Sequence, residues 1–220
     1  MSTSLEELEA QITSCRACPR LVAWREEVAR TKRAAYADEE YWGRPVPGFG
    51  DPHARLIVVG LAPGAHGSNR TGRMFTGDRS GEVLFAALHR TGFASQPTSR
   101  SRGDGLVLHD CWITAAVRCA PPGNRPLPDE RDRCARYLSA ELAILPVQVA
   151  VALGAFAWDA LLRHYCPPRP KPRFGHSAQA QLEGVTLLGS YHVSQQNTFT
   201  GKLTPAMLDQ VFAQAAMLLH

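Results

Sequence analysis

Four times along the chain a short apolar run gives way to a polar loop and then to a stretch with helical spacing. The runs are LIVV at Leu56–Val59, CWITAAV at Cys111–Val117, VQVAVALG ending at Gly154, and VTLLGSYH ending at His192. Each is rich in β-branched residues and too short for a helix, and none alternates apolar with polar. This is the pattern of a strand buried on both faces, as in parallel sheets. The intervening helical stretches are Glu82–Arg90, closed by Gly92; Pro128 to about Leu145; AFAWDALLRHY; and a last helix capped by Thr204 and started by Pro205. Strand and helix in strict alternation predict an α/β fold with a parallel sheet covered by helices on both faces.

Two further helices are predicted ahead of the first strand. Ser4 and Glu7 form a capping-box pattern before Leu5, Leu8 and Ile12, and Pro19 opens LVAWREEVARTK. Tyr36–Gly50 has the prolines and glycines of an irregular loop, TSRSRGDG (Thr98–Gly105) reads as an exposed basic loop, and PPRPKPRFGH as an extended surface segment. At 220 residues the chain reads as a single domain, residues 1–220, with the N-terminal helices as an appendage.

The longest irregular stretch follows the first strand: GLAPGAHGSNRTGRMFTGDRSG, within Arg55–Gly81. Ligands of open α/β sheets bind outside the carboxyl ends of the strands, so the chemistry is expected on this loop. Net charge is only +4, yet basic residues gather in loops: Arg70, Arg73 and Arg79; Arg100 and Arg102; Arg169, Lys171 and Arg173. Three such clusters on a near-neutral body point towards a polyanionic partner, although any one of them is also ordinary solubilising charge. No run approaches the ~20 apolar residues of a membrane span, and MSTSLEELEAQ has no signal-peptide character, so a cytoplasmic location is expected.

Six cysteines in that compartment read as ligands or buried thiols rather than disulfides. Cys15 and Cys18 form a CxxC pair, and Cys119 and Cys134 lie 15 residues apart. Four converging thiolates bind zinc or an iron–sulfur cluster, and spacing alone does not choose between them. Cys111 and Cys166 are expected to be buried thiols. A nucleotide-binding or redox module fits poorly: no GxGxxG follows the first strand, and Gly201-Lys202 is followed by Leu203 where a P-loop has Ser or Thr.

Taken jointly, GLAPGAHGSNRTGRMFTGDRSG, AVRCAPPGNRP with a cysteine 15 residues on, and YHVSQQNTFTGKLT resemble the signatures of the B-type, or family 5, uracil-DNA glycosylases, over almost the whole chain. The resemblance implies a three-layer α/β/α sandwich with a central four-stranded parallel sheet. It also implies a structural [4Fe–4S] cluster on Cys15, Cys18, Cys119 and Cys134, and excision of damaged bases from DNA, here by a monomer acting on duplex with the base flipped out. His192 is then the donor to the base carbonyl, and backbone N–H groups near Ala62, Gly64 and Ala65 add further donors. Phe75 stacks on the base, and Asn124 contacts base or sugar.

The chain departs from its cluster-bearing relatives at two places. Leu61 and Ala62 stand where family 4 begins Gly-Glu, so the usual carboxylate is missing; Asp78 is the nearest one on the loop and takes over water positioning. Ala115 replaces the Asn that reads uracil's edge, which predicts a broad enzyme that also takes hypoxanthine. Arg73, Arg100, Arg102 and Lys202 are expected on phosphates. The loop bearing Gln196, Asn197 and Phe199 is expected to enter the duplex. The runner-up is a cluster-bearing relative that grips damaged DNA with little turnover.

Overall fold

The computed structural model describes residues 4–166 and 169–220. Four parallel strands form the centre of its sheet: β2 (Leu56–Gly60), β3 (Cys111–Ala115), β4 (Val149–Leu153) and β6 (Thr186–Ser190). Two short antiparallel strands, β1 (Phe49–Gly50) and β5 (Gln179–Gln181), pair with β3 and β6, giving the order β1-β3-β2-β4-β6-β5. The edge strands were not legible, because two or three residues carry no period; their effect is to cover edges that the four-stranded sheet would leave open.

Side chains alternate across the sheet as the pleat requires. Leu56 and Val58 pack with Ile113, Val151 and Leu188 under α4 (Arg79–Arg90) and α8 (Pro205–Leu219). Ile57 and Val59 face the other way, with Ala150 and Leu187, under α5 (Pro128–Ile144) and α6 (Ala155–Tyr165). All five residues of β2, β3 and β4 are buried, which is why these strands read as unbroken apolar runs. The N-terminal helices α1 (Leu5–Thr13) and α2 (Pro19–Thr31) lean on this body through Leu8 and Ile12 against Tyr137, and Leu21 against Val117.

From β2 the chain leaves over one face through α4, and from β4, its neighbour, over the opposite face through α6. The crevice between those departures is a topological switch point at the carboxyl edge. Two short helices lie near it: α3 (Ser68–Thr71), inside the glycine loop, and α7 (Gln195–Phe199), where the sequence reads as loop. Ser194 caps α7, a single turn too short to register as a period. Of the proline-rich stretch, Pro167 and Pro168 lie outside the described residues. Among the described residues no helix is long and apolar enough to cross a membrane.

Candidate active site

Three side chains named from the sequence, Phe75, Asp78 and His192, lie on the segments that follow β2 and β6. Phe75 lies over the end of β2, so close that a Cβ on Gly60 would come within 2.5 Å of its ring. Its backbone is in the left-handed region, φ 51°, which is unusual for a bulky residue. Gly81 makes this possible, since a Cβ there would overlap the Phe75 carbonyl. The ring of His192 stands 6.4 Å from that of Phe75, tilted by 38°. Phe75 is buried and belongs to the core cluster as well, so packing and stacking share one side chain.

His192 follows β6 and rests against Gly154, where an added Cβ would lie 3.3 Å from the histidine Cβ. The Asn197 amide donates to its carbonyl at 2.8 Å, bracing the turn. Burial pushes the imidazole down to about 4, so it is neutral at physiological pH, with one N–H donor and one lone pair.

Asp78 packs against the glycine loop. One oxygen accepts from the Gly81 N–H at 3.0 Å and caps α4, while Oδ2 points at the glycine loop. A Cβ on Gly64 would lie 3.1 Å from Oδ2, and one on Gly67 would overlap it. Those two glycines therefore make room for the carboxylate. Burial raises the Asp78 pKa, against the pull of the Gly81 and Ser80 N–H groups and Arg70. With one oxygen on the helix cap, the other is left to face the glycine loop.

Within the loop, the N–H groups of Ala62, Gly64 and Ala65 donate to no acceptor among the described residues, while the Gly64 carbonyl is taken by the Asn69 N–H at 3.0 Å. Ala115 is buried on the Phe75 side of the sheet, in register with Gly60, and brings only a methyl. A flat aromatic face, a neutral imidazole, a half-buried carboxylate and free backbone donors can together hold a planar ring by face and edge, and orient water beside it.

Several cationic assignments change. Arg73 is not a surface group: it is buried and bonded to Asp104 at 2.8 Å, Ser99 at 2.7 Å and Thr76 at 3.1 Å. Burial alone would raise Asp104, but the Arg100 N–H, the Arg73 guanidinium and the Leu106 and Ser101 N–H groups bring it down to about 2. That ion pair ties the glycine loop to the 98–105 loop and leaves Arg73 no free charge for phosphate. Arg70 is likewise interior, paired with Glu39, stacked on Tyr36 and donating to His66 and Gly77 carbonyls.

Arg100, Arg102 and Lys202 remain exposed, Arg102 over the Trp42 ring and Lys202 over Tyr191. Gln196 is exposed, whereas Asn197 is spent on His192. Asn124 occupies an exposed turn with φ 56° and forms no hydrogen bond to Phe75, Asp78 or His192, so the structure does not bring it to the site the sequence expected it to serve. Phe199 is 66% exposed, with the Arg79 guanidinium 4.8 Å from its ring centroid. That pairing joins the Asp78 and His192 loops; only Phe199 had been singled out.

Cys15, Cys18, Cys119 and Cys134 all line one narrow cleft beneath α2. Among the described residues no three His, Cys, Asp or Glu side chains gather at the spacing of a single ion. Nitrogen donors reach three of the sulfurs: Arg25 to Cys119 at 2.9 Å, the Arg118 N–H to Cys134 at 3.3 Å, and Arg136 to Cys15 at 3.6 Å. Burial pushes Cys119 up to about 11, against the pull of Arg25, and Cys134 up to about 12. Arg25 is buried beside a sulfur, and its one carboxylate neighbour, Glu26, lies 3.8 Å away. A buried cation in that position calls for a negative ligand set, which fits thiolates. Cys111 is buried as expected, but Cys166 is exposed, because the helix ends just before it.

Fold and site together define a doubly wound α/β/α protein with a crevice at the carboxyl edge of its sheet. The sequence profile of the Uracil DNA glycosylase superfamily matches residues 47–216. A type-5 uracil-DNA glycosylase of Mycobacterium tuberculosis is 58% identical over 219 residues, spanning 98% of this chain and 82% of the relative. One from Thermus thermophilus is 56% identical over 94% of both chains. A type-4 enzyme of Archaeoglobus fulgidus is 31% identical over 70% of this chain and 61% of its own. The chain belongs to the uracil-DNA glycosylase superfamily, in its type-5 branch.

Proposed function

We propose that the protein removes uracil from DNA by hydrolysing the bond between base and sugar, and that its pocket also admits other deaminated bases such as hypoxanthine. The observation that carries this reading is the His192 ring 6.4 Å from that of Phe75, with Oδ2 of Asp78 turned to the glycine loop that follows β2. As the glycosidic bond breaks, C1′ of the sugar becomes cationic and the base leaves as an anion. Asp78 stabilises the cation and orients the water whose oxygen bonds to C1′; the water's proton ends on solvent or base. His192, being neutral, donates one N–H to the developing base anion, and the Ala62, Gly64 and Ala65 N–H groups add donors that need no reorganisation. Asn124, at its exposed turn, has no part in these steps.

Breadth rests on Ala115. A buried amide there would penalise a wrong donor pattern at the base edge, and a methyl exacts no such penalty. The partner is duplex DNA from which the base is flipped, with the exposed Phe199 of α7 filling the stack and Arg100, Arg102 and Lys202 on phosphates. Cys15, Cys18, Cys119 and Cys134 would hold a [4Fe–4S] cluster, whose role when bound is structural: it pins the N-terminal helices to the β3–α5 connection.

The test is cleavage of matched duplexes carrying uracil, hypoxanthine or a normal base, with alkali to break abasic sites. Cleavage at both damaged bases is expected. Cleavage at uracil alone would overturn the breadth inferred from Ala115. Binding without cleavage at either would replace the enzyme by a damaged-DNA binder.

A further inference from the structure

Arg25 takes part in neither the proposed base chemistry nor phosphate contact, yet it is 2% exposed and a fully buried guanidinium is costly. Its side chain serves the cysteine cleft, with one nitrogen on Cys119 Sγ at 2.9 Å and another on the Cys15 carbonyl at 3.3 Å. Its own backbone carbonyl does something different. It accepts from the Asn69 amide at 3.2 Å, and the same Nδ2 lies 3.4 Å from the Ala65 carbonyl.

Asn69 is completely buried, and its orientation is fixed because both neighbours of Nδ2 are acceptors. Through its backbone it also closes the glycine loop onto Gly64 and receives the Gly43 N–H at 3.0 Å. At the loop's start, Ala62 packs against Leu21, Val117 and Cys119, the wall of the cleft. The cleft and the loop thus share one arginine, one asparagine and one packed alanine.

We propose that Arg25 and Asn69 are positioning residues forming a link through which the four-cysteine site sets the geometry of the base-facing glycine loop. The link rests on the reading of the thiols as cluster ligands and of the loop as the base site. When the thiols bind as thiolates, Arg25 is held by negative charge and its helix turn is fixed. Asn69 then hangs from that turn, and the free N–H groups of Gly64 and Ala65 follow.

The decisive variant is Asn69→Asp, which keeps the shape but turns an oxygen towards two carbonyl oxygens, far from any sulfur contact. In iron-loaded protein it should retain the iron content and visible absorbance of the wild type. Hydrogen exchange of the 64–70 amides should rise about tenfold, and the single-turnover rate on a uracil duplex should fall roughly 10- to 100-fold with KM little changed. Arg25→Lys should speed exchange of the same amides, and combining it with Asn69→Ala should add nothing beyond the larger single effect. Unchanged exchange in Asn69→Asp, or additive effects in the pair, would overturn the link while leaving the glycosylase reading intact. Should Arg25→Lys fail to fold, Asn69→Asp decides alone. Wild-type protein that binds no iron would remove the cluster reading and the link with it, whatever its activity.

Discussion

The base crevice and the cysteine cleft are both buried, both carry ionisable groups, and treat charge in opposite ways. At the crevice, burial keeps His192 neutral and raises Asp78, and neither forms a salt bridge. At the cleft, arginines reach two of the four sulfurs directly and Arg133 lies beside a third, Cys18, pulling against the burial that raises it. One region is poised for charge that develops during reaction. The other is furnished for negative charge that stays. The same loss of water therefore leads to different chemistry according to the fixed cations placed nearby.

The largest effect should come from the cleft. Cys119→Ser or Cys134→Ser should lose bound iron and several kcal/mol of stability, lowering the midpoint of thermal unfolding by about 10 °C. Iron analysis with calorimetry checks both; a serine variant of wild-type stability would break the comparison by making the cleft dispensable. At the crevice the expectation is reversed, with chemistry lost and stability kept. Asp78→Asn should cut single-turnover excision roughly 100- to 10,000-fold, while asparagine caps α4 as well as aspartate does. Because the folded pKa of Asp78 is raised, the folded state binds more protons than the unfolded state between the unfolded pKa and the raised value. The wild type therefore loses stability as pH rises through that window, and Asp78→Asn should not. Its unfolding midpoint at neutral pH should equal or exceed that of the wild type.

His192 gives an oppositely signed dependence. Its folded pKa, about 4, lies below that of a free histidine, so its contribution is complete above about pH 6.5 and fades as pH falls towards 4. Denaturant titrations should show His192→Gln gaining about 3 kcal/mol on the wild type between pH 7 and pH 4. Excision by the wild type should show no inflection near pH 6.5. An inflection there would mean that the imidazole titrates as if exposed, and would erase the contrast between the regions.

The sequence made the scaffold readable and the environments unreadable. Unbroken apolar runs announce β2, β3, β4 and β6 because burial on both faces removes every polar position; β1, β5 and α7 are too short to show a period. Phe75 and His192 were found because they stand in motifs that resemble those of the family 5 glycosylases, and Asp78 as the nearest carboxylate on the same loop. Arg70, Arg73, Arg100 and Arg102 look alike as letters in loops, and only the packing of Glu39 and Asp104 separates interior arginines from exposed ones. Asn69 and Arg25 gave no signal, since each works through contacts with residues far along the chain. The glycine pattern was legible as a loop, but not the reason for it: Gly64 and Gly67 make room for an oxygen of Asp78.

That distinction among arginines sets the smallest prediction. Arg102 lies exposed on the Trp42 ring and pairs with Glu9 at 3.4 Å, a solvent-exposed pair that screening keeps weak and a phosphate can displace. Arg102→Ala should weaken duplex binding about equally for all sequences and reduce the slope of log K against log salt by about 1. Arg73 carries the same formal charge, but Asp104 neutralises it inside the protein, and that pair keeps its stabilising effect until pH falls through about 2. Arg73→Met should leave the salt slope unchanged and instead lower stability, by roughly 3 to 5 kcal/mol, because it strands Asp104. Binding isotherms across a fourfold range of salt separate the two. A changed slope for Arg73→Met would mean that the ion pair opens to meet DNA, and that burial in the free protein does not decide which cations the duplex meets.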